Sequence, residues 1–171
     1  MSLKADGTKM AYIPPYIPKD AKWYIAELVM ECQIEGESSN VVHIDIVLVR
    51  ADSPKEAFEK AEQLGREGED SYLNPNDQRA TWIYRGLRDL NVVHDELEHG
   101  TELMFEEKIG LSEDEVKALL TSKSQLNIFR LDQPRDPSYP NYISKEIMEE
   151  VLDMMRDDDS QHSVEADDLN S

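Results

Sequence analysis

The sequence predicts an α+β domain built on a largely antiparallel sheet with two helices packed on one face, in the order ββαβββαβ, followed by a tethered C-terminal helix. Three observations carry that expectation. From Trp23 the chain alternates through Tyr24, Ala26, Leu28, Met30, Cys32 and Ile34, and after "EGESSN" it alternates again through Val42, Ile44, Ile46 and Leu48. That is the period of two half-buried strands. "SPKEAFEKAEQLG" then switches to helical spacing behind a capping signal. With 171 residues, the chain is long enough for one such domain and short for two.

The elements follow in order. Residues 1–21 include "YIPPYIPK", rich in proline and without periodicity, and read as an extended N-terminal arm before a domain at 22–131. Aligning the two apolar strand faces pairs Ile34 with Val42, Cys32 with Ile44, Met30 with Ile46 and Leu28 with Leu48. Ser53 caps the first helix, Pro54 takes its first position, Glu56 completes a capping box and Gly65 is placed to end it. Ala57, Phe58, Ala61 and Leu64 form its buried stripe, and Glu56 with Lys60 makes an i,i+4 pair on the wet side. "YLNPND" is a turn, and "RATWIYRGL" a strand in which Gly86 marks a bulge or a close backbone approach.

"NVVHDELEHGTELMFEE", residues 91–107, reads as a hairpin turning near "EHGT". In "LSEDEVKALLTSK" Ser112 and Glu115 form a capping box, and Leu111 with Val116 a hydrophobic staple. "QLNIFRL" reads as the last strand. Residues 132–143 contain three prolines and serve as a linker to an amphipathic helix at 144–156, with Ile147, Val151, Met154 and Met155 on one stripe. The acidic tail 157–171 is too poor in apolar groups to order itself.

Composition narrows the function. A net charge of −19, from 37 Asp and Glu against 18 Lys and Arg, opposes nucleic-acid binding, which depends on cations displacing counterions from phosphates. No apolar run approaches the roughly 20 residues of a bilayer span, and no apolar leader precedes a cleavage site, so the cytoplasm is expected. The single cysteine, Cys32, excludes an internal disulfide and a cysteine-based zinc cluster, and lies on an apolar strand face as a core residue.

The order of several short stretches carries a resemblance. "KWYIAELVMECQIEGE", "VHIDIVLVRADSPKEAFEKAEQLG", "SYLNP", "GLRDL" and "DELEHGTEL" together resemble a bacterial family, domain of unknown function 4288, over roughly residues 22–131. The resemblance implies a compact bacterial domain. It implies no activity, cofactor or catalytic residue.

Candidate sites are few. Read as a helix, "NVVHDELEHG" would place His94 with Glu98 and Asp95 with His99 as metal ligands; the valines before it and Gly100 within it favour the hairpin instead. In the register above, the outward strand face sets Glu31 opposite Asp45 and Gln33 opposite His43. Like charges directly opposed destabilise a sheet, so either neighbouring arginines or lysines compensate, or a divalent cation sits on Glu31, His43 and Asp45. The first alternative is expected. The same face would carry Trp23, Ile25, Val29, Val47 and Val49, a mixture of apolar and acidic groups suited to a protein interface.

No glycine-rich phosphate loop, GxSxG elbow or Cys–His pair is present, so no catalytic residue and no cofactor are assigned. The expected function is a non-enzymatic module that self-associates, as a homo-oligomer, or binds a protein partner through the outer sheet face and the C-terminal helix. The alternatives are a small metal-dependent enzyme and an acidic antagonist that mimics nucleic acid.

Overall fold

A computed structural model describes residues 17, 18, 20–129, 136 and 138–165, with residues 155 and 157–165 described through their backbone alone. The expected N-terminal arm and most of the linker therefore lie outside the described residues. Strands β1 (Trp23–Ile34), β2 (Val41–Arg50), β3 (Asp70–Leu73) and β4 (Arg79–Val92) form one antiparallel sheet in the order β2-β1-β4-β3. Helix α1 (Pro54–Glu67) leaves the edge strand β2, crosses one face and delivers the chain to the opposite edge at β3. The fold is α+β with an antiparallel sheet, as the alternation and capping signals imply.

The inner face is the one α1 covers. Tyr24, Ala26 and Leu28 of β1 pack with Val49, Ala51, Ala57 and Ala61, and a second cluster of Cys32, Ile34 and Ala80 lies toward the other end under Tyr142. Cys32 is a fully buried core thiol. Ser53 Oγ accepts from Glu56 N–H and Pro54 occupies the first turn, as expected, but the Glu56 carboxylate reaches back to Asp52 N–H rather than to the cap residue. Lys60 closes the i,i+4 pair with Glu56 at 2.8 Å.

The structure corrects several expectations. β1 pairs with β2 through Cys32–Val41, Met30–His43, Leu28–Asp45, Ala26–Val47 and Tyr24–Val49, three residues out of the aligned-face register. An odd slip exchanges the faces of a strand. Alternation favours burying the wholly apolar row Val42, Ile44, Ile46 and Leu48 over the row that holds His43 and Asp45, but burial of Val49 and Ala51 against Ala57 and Ala61 decides the opposite phase. Val47 and Val49 therefore face the core, and Val42, Ile44, Ile46 and Leu48 face outward.

Gly65 does not end α1. It lies inside the helix because a Cβ there would fall 2.4 Å from the Tyr84 ring, and Gly68 is the C-cap. Phe58 and Leu64 are exposed, and the buried stripe is Ala57, Ala61 and Gly65. Small residues let the helix lie close to the sheet. Gly86 does mark a bulge, with a φ of +133° and irregular register on both sides. A Cβ there would meet nothing within 4 Å, so the need is conformational rather than steric.

Beyond Val92 the chain departs further from expectation. The turn at "EHGT" forms, with Thr101 N–H donating to Glu98 O, but no strand ladder flanks it among the described residues. Helix α2 (Glu113–Ala118) has its capping box complete yet buries no residue, so one helix rather than two covers the sheet. "QLNIFRL" follows on a 3₁₀ turn at Lys123–Gln125 and forms no strand as far as Phe129; residues 130 and 131 lie outside the described residues. Helix α3 (Lys145–Glu165) continues nine residues past its expected end at 156, and 166–171 lie outside the description. Among the described residues no helix is long and apolar enough to cross a membrane.

Candidate functional site

Among the described residues no helix packs on the outer face of the sheet. Strand pairing places Trp23, Ile25, Glu27, Val29 and Glu31 of β1 beside Val42, Ile44, Ile46 and Leu48 of β2. From β4, Asp89, Arg85, Ile83, Thr81 and Arg79 complete it. The β2 row stands out in solvent, with Val42 51%, Ile46 61% and Leu48 44% exposed. Ile25 is buried at the centre.

Two carboxylates on this face are neutralised from the neighbouring strand. Glu27, itself buried, pairs with Arg88; Glu31 pairs with Arg85 at 2.5 Å and accepts from Asn40 at 2.6 Å. The Asn40 amide and the Arg85 guanidinium hold the Glu31 carboxyl below its ordinary range, and the Glu27 carboxylate pushes the Arg88 guanidinium up. A buried carboxylate left without such a partner would cost several kcal/mol, roughly 3–5 when one member of a fully buried pair is lost. Arginines from the adjacent strand are thus the compensation on this face.

The divalent-cation arrangement does not assemble. Glu31 faces outward opposite Val42, whereas His43 and Asp45 lie on the inner side opposite Met30 and Leu28. The His43 ring packs 4.7 Å from that of Trp82 and 5.3 Å from that of Tyr142. Among the described residues no three of His, Cys, Asp and Glu come together as a metal site, the segment around His94 and His99 included.

Of the sequence-derived interface residues, Trp23, Ile25 and Val29 lie on the outer face, while Val47 and Val49 do not. Ile147, Val151 and Met154 project from α3 into solvent, 58%, 47% and 59% exposed; the Met155 side chain lies outside the described residues. Sequence reasoning misses Val42, Ile46, Leu48 and the outward Arg50, Arg79, Arg85 and Arg88. The signal lies in the apolar row of β2 that alternation assigns to the core.

A second concavity lies where the C-terminal segment returns to the sheet. Asn74 is wholly buried in the β3–β4 turn, donates to Asn141 O at 2.8 Å, and accepts from the backbone N–H of Asn76 and Gln78. Tyr72 donates to Tyr142 O, Trp82 Nε1 donates to the Tyr72 hydroxyl, and Lys145 meets Asp77 at 2.6 Å. α3 is therefore anchored at its start. Beside this anchor is a cleft of about 560 Å³ lined by Tyr72, Trp82, Tyr142, Ser144 and Glu146 among others, without histidine, cysteine or lysine in its wall.

A four-stranded antiparallel sheet covered on one face by a crossing helix, with its other face apolar and arginine-studded, defines an α+β domain. Residues 23–105 match the model of the family described as domain of unknown function (DUF4288). The match takes in the whole sheet and α1 and ends before α2. No curated protein and no solved structure matches the chain.

Proposed function

We propose that this protein is a cytoplasmic, non-enzymatic interaction module that associates with itself through the outer sheet face, with the α3 stripe as a second contact. The exposed row Val42, Ile46 and Leu48 carries the reading. Soluble monomers rarely leave such contiguous apolar rows uncovered, and a sheet face bordered by arginines has the composition of an interface. An interface of ordinary size takes about 800 Å² from each partner, the scale of one sheet face.

Light scattering of the eluting protein tests it. The full chain should run at twice the 19.7 kDa of one copy. Ile46→Lys, which places a charge on a side chain already in solvent, should return it to one copy with the circular dichroism spectrum unchanged. A wild-type mass of one copy at all concentrations up to about 100 µM, enough to populate even a complex near −5.5 kcal/mol, would remove self-association.

A further inference from the structure

Residues 94–129 form a second surface without a partner. Every residue in the segment except Thr101 is exposed. Yet it carries twelve large apolar side chains among its exposed residues, with Phe105 71%, Ile109 86%, Leu120 75% and Ile128 84% exposed. Solvated loops are not built this way. Nor is the segment without structure: Thr101 Oγ1 ties Glu96 O to Glu98 N–H, Ser112 and Glu115 cap α2 reciprocally, and Phe129 N–H closes a turn on Leu126 O. It has local order and no core.

The two unpartnered surfaces complement each other in charge. The segment holds nine carboxylates against three lysines, a net charge of −6. The outer face gathers Arg50, Arg79, Arg85 and Arg88 against Glu27, Glu31 and Asp89, a net charge of +1 in which Arg85 and Arg88 are paired with Glu31 and Glu27. Half of the chain's eight arginines thus stand on one face of a molecule whose net charge is −19. Charge complementarity of this kind selects the partner and its orientation, while apolar burial supplies most of the affinity.

The geometry points to residues 94–129 of a second copy as the occupant of the outer sheet face. This rests on the reading that copies associate through that face, and adds which segment they use. The exchange is reciprocal: each copy lays its segment on the other's sheet, so one two-fold dimer contains the contact twice. The outer sheet face and the 94–129 segment of both copies are covered in one step.

Photocrosslinking in the full chain tests the assignment. A copy with benzoylphenylalanine in place of Phe105 is mixed with a tenfold excess of ¹⁵N-labelled protein, irradiated and digested. Adducts joining the probe to labelled peptides from 41–50 or 79–92 are expected. Ile46→Lys in the labelled copy should cut their yield at least tenfold. Dimers whose adducts map to α3 or to the edge of β3 would overturn the segment assignment and leave self-association standing. Adducts confined to the probe's own unlabelled chain would show that the segment closes on its own sheet, which also overturns the assignment. A single-copy mass at every concentration would sink both.

Discussion

Gly65 shows a residue chosen against its local preference. In a helix interior glycine costs about 1 kcal/mol relative to alanine, yet here a Cβ would lie 2.4 Å from the Tyr84 ring, on an inner face already packed. Overlap outweighs propensity. Gly65→Ala should lower stability by about 1–3 kcal/mol, read as a fall in the urea midpoint at constant slope. The same tyrosine sets an alkaline limit. Burial first, and then its hydrogen bond to Glu62, push the Tyr84 phenol up to about 12, above the value near 10 of an unfolded tyrosine. The folded state therefore favours the neutral phenol. Its contribution is complete below pH 10 and declines as the pH rises from 10 to 12. The wild type should lose stability across that window more steeply than Tyr84→Phe, with Tyr24 and Tyr72, also raised by burial, supplying the slope that remains.

Among the elements, the β3–β4 turn does most to organise the C-terminal half. Asn74 satisfies two backbone donors of its own turn and reaches across to Asn141, so Asn74→Ala leaves buried polar groups unpaired at once. A cost of about 1–3 kcal/mol follows, and limited proteolysis should cut near residues 138–147 several-fold faster as the segment detaches. The sequence makes β1, α1 and the α2 cap legible because each has a clean local signal: strict alternation, Ser53 with Pro54, Ser112 with Glu115. It leaves β3 hidden, since "DSYL" is too short for a period and holds its place by pairing with Arg79–Trp82. The phase of β2 is hidden for a different reason. Its inner row Val41, His43, Asp45, Val47 and Val49 is the less apolar of the two, so alternation favours burying Val42, Ile44, Ile46 and Leu48, and only the docking of α1 reverses that choice. One wrong phase moved His43 and Asp45 to the wrong side and created a charge opposition that the structure does not contain. The turn at "EHGT" was legible and its ladder was not, because a turn is closed by neighbours in the chain and a ladder needs a core to lie on.

At the scale of the whole molecule, α1 alone covers one face, and more than thirty residues after Val93 add nothing to the core. Changing Phe105, Ile109, Leu120 and Ile128 together to Ser should therefore leave the folding free energy of a single copy within about 0.5 kcal/mol, as for exposed sites generally. The dimer should be lost. Melting of the wild type should depend on protein concentration, since association stabilises only the folded chain, and melting of the variant should not.

The strand order has a last consequence, for how the chain comes to be folded during synthesis. β1 lies at the centre, and its partners in β4 are 46 to 68 residues later in the sequence, from Ile34–Ala80 to Tyr24–Val92. As the polypeptide leaves the ribosome, the β1–β2 hairpin can close early. One full edge of β1 then waits, with its backbone donors and acceptors unsatisfied, until β4 has emerged. Such an edge is a template for pairing with a neighbouring nascent chain. This protein should fold slowly for its size and be most prone to aggregate before residue 92 is free.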